Sequence, residues 1–266
     1  MSRIITLMTD FGTKDGYVGT MKGVILGINP HCTLVDITHE ITPQGVFEGA
    51  LVLGSTYRCF PRGSVHLAVV DPGVGTQREA LVVEAEGYYF VGPDNGLFTW
   101  IYRRGEVKQV VGIRSRDFLP HSVSQTFHGR DIFAPTAGHL SLGRKPELFG
   151  ARLDQWCEID IPEPRVTRKG LTGEVIHIDW FGNVITNLPR DLLEPLADRG
   201  PLQIHIKGKR ISGLKAAYAE AREGELMAIL DSFDLLEISL PGARAGDALR
   251  AVKGDKVELI CPCRIT

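Results

Sequence analysis

Three short apolar runs, residues 4–8, 33–37 and 65–70, each end in a polar or glycine-containing turn. Between them lie two amphipathic stretches. Tyr17–Ile28 stops at Asn29-Pro30, and residues 44–57 stop before Pro61-Arg62-Gly63. Buried strands alternating with helices predict an α/β domain with a largely parallel central sheet. Residues 80–85 and 88–91, separated by Glu86-Gly87, predict a hairpin, and residues 132–142 predict a helix closed by Gly143. After about residue 145 the composition shifts, and Ile161-Pro162-Glu163-Pro164-Arg165 has the character of a hinge. Beyond it, residues 173–179, 202–207, 226–230 and 256–260 read as short strands, and only 192–198 and 246–251 suggest helix. The expectation is an α/β domain over 1–160, a linker over 161–170 and a smaller, mostly β domain over 171–266.

A chain of 266 residues accommodates two such domains. Lys and Arg number 30 against 32 Asp and Glu, and no basic face appears, which argues against a nucleic-acid partner. No apolar run approaches the roughly 18 residues of a membrane span. The apolar run after Met1-Ser2-Arg3 is too short for a signal peptide, so a cytoplasmic location is expected. The five cysteines are odd in number and scattered, with Cys261-Pro262-Cys263 the closest pair. They read as reduced thiols without a joint role, and no metal site is expected.

In an open α/β sheet, ligands gather outside the carboxyl ends of the strands. The loops that follow strands are Thr9-Asp10-Phe11-Gly12, Asp71-Pro72-Gly73-Val74-Gly75-Thr76 with Arg78 beyond, and Gly92-Pro93-Asp94-Asn95-Gly96, while Thr126-Phe127-His128-Gly129-Arg130-Asp131 precedes a helix; collected at one sheet edge, they would surround one cleft. Each has a plainer reading. Asp10 can cap a helix, and Asp94-Asn95-Gly96 and Asp71-Pro72-Gly73 are good turn sequences. His128 can be a satisfied buried histidine, and Arg130-Asp131 a surface ion pair. No P-loop, no G-x-G-x-x-G after the first strand, no H-E-x-x-H and no G-x-S-x-G is present. Spacing and composition reach an α/β enzyme with a polar cleft and stop there.

Taken together, these loops resemble the S-adenosylmethionine (SAM) hydroxide adenosyltransferases, adenosine-forming SAM hydrolases related to the fluorinase and chlorinase. The resemblance continues at Asp179-Trp180-Phe181-Gly182-Asn183-Val184-Ile185-Thr186-Asn187 and ends at Asp231-Ser232-Phe233 with Leu236-Glu237-Ile238, so it covers nearly the whole chain. It implies an α/β domain followed by a β-barrel domain, and a homotrimer whose sites lie at subunit interfaces. It implies SAM as substrate, with adenosine and methionine as products and no cofactor. It implies a catalytic triad of Asp71, Arg78 and His128. Asp10, Phe11, Asn95, Gly129, Asp179, Phe181, Asn183, Ser232, Phe233 and Glu237 fall at substrate-contacting positions.

Departures bear on the chemistry. The halogenases carry an aromatic residue at or near the position of Asp71. They replace His128-Gly129, with a halide-contacting Ser in the fluorinase, and have Trp where this chain has Gln44. A halide-using SAM enzyme and a non-catalytic SAM- or nucleoside-binding module are therefore the alternatives, both disfavoured by the complete triad. Family members often have Asn-Ser-x-Gly where this chain reads Asp231-Ser232-Phe233-Asp234. Displacement at ribose C5′ expels a neutral thioether and needs no general acid. It does need a water made nucleophilic, for which Asp71 and His128 are the natural proton acceptors.

Overall fold

The computed structural model describes residues 4–167, 170–198 and 200–260. Cys261 and Cys263 lie outside the described residues. The chain divides into two compact units, with the division between Ile159 and Asp160.

The first unit runs β1 (Ile4–Thr9), α1 (Tyr17–Ile28), β2 (Thr33–Thr38), α2 (Val46–Thr56), β3 (Val65–Val69), β4 (Ala80–Ala85), β5 (Tyr88–Pro93), α3 (Thr99–Arg104), β6 (Val107–Gly112) and α4 (Ala134–Ser141). Its sheet has the order β2-β1-β3-β5-β4-β6. β1 pairs in parallel with β2 and β3, and β3 with β5, whereas β4 is antiparallel to both its neighbours. The expected mostly parallel sheet is therefore present, with β4–β5 as the expected hairpin.

All five residues of β3 are buried. This explains why the run lacks alternation, since a central parallel strand is covered on both faces. Met21 and Ile25 of α1 and Ala134, Ala137 and Leu140 of α4 join one core with Ile5, Leu7, Leu67 and Val69. Each buried Leu, Ile, Val or Met side chain contributes about 1.5–3 kcal/mol, and each alanine methyl less. Two helices clamped on one face in this way fix where β1 and β3 end, and it is from those ends that the polar loops leave.

The second unit contains β7 (Arg165–Thr167), β8 (Gly170–Ile178), β9 (Val184–Pro189), α5 (Arg190–Ala197), β10 (Gln203–Ile206), β11 (Lys209–Ser212), β12 (Met227–Leu230), β13 (Leu235–Ser239), α6 (Ala245–Leu249) and β14 (Lys256–Ile260). The order is β11-β10-β14-β8-β9-β13-β12, with β7 beside β8, and every pairing is antiparallel. A bridge between Lys215, just after β11, and Ile229 of β12 nearly closes the sheet into a barrel. Alternate residues Leu171, Val175, Ile204, Ile206, Leu236, Ile238, Val257 and Leu259 fill its interior. That is the period-2 pattern of a sheet with one buried face. Part of the Pro-rich stretch read as linker is thus strand β7. No helix among the described residues is long and apolar enough to cross a membrane.

His66 of β3 is a fully buried histidine away from the loops. Its Nδ1 lies 2.8 Å from Thr6 Oγ1, and its ring stacks on Phe90 with centroids 5.1 Å apart. Tyr57, Phe60 and Tyr88 crowd the same ring. Burial pushes its pKa down to about 3. Between that value and about 6.5 the unfolded chain binds a proton that the folded chain refuses, so stability is present above pH 6.5 and is lost as pH falls. The slope from this residue is about 1.4 kcal/mol per pH unit. Urea unfolding at pH 7 and pH 5 should show a loss that is smaller, by about 2 kcal/mol, in a His66→Gln variant.

Candidate active site

Asp71 follows β3 and opens a loop that turns back on itself, with Val74 N–H donating to Asp71 O at 3.2 Å and Thr76 N–H to Gly73 O at 3.1 Å. Gly75 has φ +80°, and a Cβ there would lie 2.4 Å from Gln125 O. Only glycine permits this approach, which sets the Asp71 loop against the segment leading to His128. The turn also returns Arg78 onto Asp71. Arg78 Nε donates to Asp71 Oδ1 at 2.8 Å, and Nη2 closes the fork on Oδ2. Nη2 also lies 2.8 Å from His128 Nδ1. The guanidinium rests over the Phe133 ring, 5.3 Å from its centroid. The Asp71 and Arg78 side chains are 5% and 9% exposed. A planar fork gripped bidentately and backed by an aromatic ring has little freedom left.

His128 leads into a π-helical turn, Gly129–Phe133, that runs directly into α4. The expected helix over 132–142 is therefore present but begins with this wider turn, a feature common at functional sites. His128 is buried, and its pKa is lowered, first by desolvation and then by the Arg78 charge. A guanidinium only donates, so His128 Nδ1 is the acceptor and the neutral ring carries its proton on Nε2. Asp131 accepts from Ser124 N–H at 2.7 Å and from Arg130 Nε at 2.6 Å. The Arg130–Asp131 pair exists as read, but its carboxylate is buried and braces the turn. At Gly129 a Cβ would lie 3.1 Å from Met21 Sδ and 3.2 Å from Phe127 Cε2. The Phe11 ring packs against Phe127 and Tyr17, with centroids 6.1 and 5.8 Å away.

Asp10 caps no helix: the residue before α1 is Gly16, and no side chain caps it. Instead Asp10 Oδ2 accepts Gln44 N–H at 2.8 Å. Gln44 has φ +65°, a left-handed backbone uncommon outside glycine. Asn95 behaves as the turn reading expected. Its amide donates to Val70 O at 2.8 Å and accepts Leu97 N–H at 3.2 Å. Asp94 accepts Cys157 N–H at 2.8 Å, and burial pushes its pKa up.

In the second unit, Asp179 and Asn183 lock a tight turn. Asn183 N–H donates to Asp179 Oδ1 at 2.7 Å, and its amide to Oδ2 at 3.0 Å. The turn leaves Trp180 and Phe181 89% and 73% exposed. Asp231 Oδ1 accepts from Phe233 N–H at 2.8 Å and Leu235 N–H at 2.9 Å, which shapes the turn bearing Ser232 and Phe233. Asp234 takes a left-handed backbone with φ +62°. Asp tolerates this better than most residues, and its carboxylate holds Arg190 at 2.6 Å. Glu237 is 3% exposed and accepts Tyr218 Oη–H at 2.8 Å and the Ser239 hydroxyl. Burial raises its pKa. Sequence reasoning passed over Tyr218, Phe133 and the Gln44 amide, which no local pattern marks. His39 had a usable signal, its place just after β2, which is a half-exposed edge strand and not the buried one its apolar run predicts. Among the described residues no three His, Cys, Asp or Glu side chains come together as a metal-ligand set.

Comparison with known proteins identifies the family of the chain. Residues 5–150 match the SAM hydroxide adenosyltransferase N-terminal domain, and residues 173–258 match the C-terminal domain. A relative from Methanocaldococcus jannaschii named (R)-S-adenosyl-L-methionine hydrolase is 37% identical over 97% of this chain and 95% of its own. A solved structure of an uncharacterized conserved protein from Thermotoga maritima superposes with a TM-score of 0.91 at 38% identity, covering 96% of this chain and 99% of its own. The fluorinase of Nocardia brasiliensis is more distant, 31% identical over 73% of each chain. The matches to both domain families and the near full-length likeness place this chain in the SAM hydroxide adenosyltransferase family.

Proposed function

We propose that this enzyme hydrolyses SAM to adenosine and methionine by attack of water on ribose C5′, with Asp71, Arg78 and His128 as the catalytic set. The observation that carries the reading is the Arg78 bridge from Asp71 to His128 in a chain of this family. In the reaction, water oxygen forms a bond to C5′ as the C5′–S bond breaks. The electron pair leaves with sulfur, which becomes the neutral thioether of methionine. One proton is released, and no acid is needed.

The hydrogen-bond pattern supports a division of labour. Arg78 occupies His128 Nδ1, so Nε2–H is a donor that can orient the attacking water. Each Asp71 oxygen already accepts from Arg78 but keeps a second lone pair, so the carboxylate is the better-placed proton acceptor. The positive charge of Arg78 stabilises developing hydroxide beside it. Asp10 would hold the ribose. The exposed Phe181 and Phe233, with Asn183 and Ser232, would contact adenine and methionine, while Asn95 and Glu237 shape the loops. A homotrimer with sites at subunit interfaces, in the cytoplasm, completes the reading.

Asp71→Asn, Arg78→Gln and His128→Phe should each lower kcat for SAM cleavage by about tenfold or more while binding persists, measured by adenosine release and calorimetry. Near wild-type kcat in all three variants would contradict the assignment.

The lowered pKa of His128 gives a second expectation. A depressed pKa keeps the imidazole neutral below pH 6.5, so kcat/KM should stay flat from about pH 8 to 6.5 and fall only in more acid solution. In Arg78→Gln the neighbouring charge is gone, and an NMR titration of His128 should move to higher pH. A wild-type titration at or above 6.5 would count against the arrangement.

A further inference from the structure

The loop carrying Asp10 is held by the segment that follows β2. Gly12 N–H donates to His39 O at 2.7 Å, and Thr13 Oγ1–H reaches Glu40 Oε1 at 3.4 Å. Gln44 N–H donates to Asp10 Oδ2 at 2.8 Å. Beneath these contacts runs a polar chain whose inner members, Thr9 and His39, are buried and whose outer members, Asp36 and Lys22, reach solvent. Thr9, fully buried and next to Asp10, accepts Phe11 N–H on Oγ1 at 3.2 Å. The same oxygen lies 2.9 Å from Nδ1 of His39, which is 4% exposed. On the far side His39 Nε2 is 3.0 Å from Asp36 Oδ1, an ion-pair distance, and Asp36 Oδ2 is held by Lys22 Nζ at 2.6 Å.

A buried imidazole between a carboxylate and a hydroxyl needs a reason, because each polar group there is costly unless paired. Nε2 faces the Asp36 carboxylate at ion-pair distance without a hydrogen bond, and Thr9 Oγ1 meets both Nδ1 and Phe11 N–H. Thr9 and Phe11 are the two residues that flank Asp10. The His39 side chain therefore sets the backbone on either side of Asp10, while Gln44 fixes one carboxylate oxygen. We propose that His39 is a positioning residue for Asp10, acting through Thr9. This inference rests on reading Asp10 as the ribose-binding carboxylate.

The test compares kcat and KM for SAM in full-length Asp10→Ala, Thr9→Val, Thr9→Ser and His39→Gln. Thr9→Val keeps the buried shape and removes the hydroxyl. It should raise KM about tenfold, the upper end of what one hydrogen bond contributes, with kcat within about threefold of wild type. Thr9→Ser should restore KM, and His39→Gln should raise KM as Thr9→Val does, with little further change when the two are combined. Wild-type KM in Thr9→Val or His39→Gln, alongside a raised KM in Asp10→Ala, overturns the proposal even if melting temperatures fall. An unchanged KM in Asp10→Ala overturns the reading of Asp10, and the proposal with it.

Discussion

Everything at the candidate active site depends on one guanidinium. Arg78 has a fixed planar array of donors and no acceptor, so wherever its fork lies it dictates the state of its neighbours. It takes both oxygens of Asp71 and reaches Nδ1 of His128. The second contact forces the neutral histidine proton onto Nε2, and the charge of Arg78 adds to burial in holding His128 in that neutral form. The Phe133 ring behind the guanidinium fixes its plane. Moving Arg78 would change the orientation of Asp71, the tautomer of His128 and the local charge together.

The fold supplies that constraint through strand ends. The buried β3 stops just short of Asp71, and the close approach at Gly75 brings its loop against the backbone of Gln125. From there the chain enters the π-helical turn after His128, which runs into α4, a helix sharing the core of β1 and β3. The same core that stabilises the sheet thus sets the distance between Arg78 and His128. In the second unit, side-chain-closed turns at Asp179–Asn183 and Asp231–Leu235 project aromatic residues outward. Short polar side chains do this work because their oxygens reach donors within the same turn: two backbone amides at Asp231, one backbone and one side-chain amide at Asp179.

Much of the first unit was legible because its strands are continuous apolar runs and its helices have clear stops. Tyr17–Ile28 and the Ala80–Ala85 hairpin strand were predicted to the residue. β6, β9, β11 and β13 were not. β9 carries the buried polar residues Thr186 and Asn187 and ends in Pro189, and β13 places Glu237 and Ser239 among buried positions. Such strands are specified by cross-strand partners rather than by local pattern. At the site, the position of Asp10 and Asp71 after strands, and of His128 before a helix, was visible in the sequence. What was not visible was the contact map: that Arg78 folds back across seven residues and that Asp10 meets the Gln44 amide. Those contacts depend on backbone conformation at Gly75 and Gln44, which composition does not encode.

Hydrolysis by this route requires a water molecule activated beside Arg78 and delivered to C5′. Turnover of SAM in oxygen-18 water, followed by mass spectrometry of both products, tests this directly. The heavy oxygen should appear in the 5′-hydroxyl of adenosine and be absent from methionine. Unlabelled adenosine, or label in homoserine released with methylthioadenosine, would contradict it.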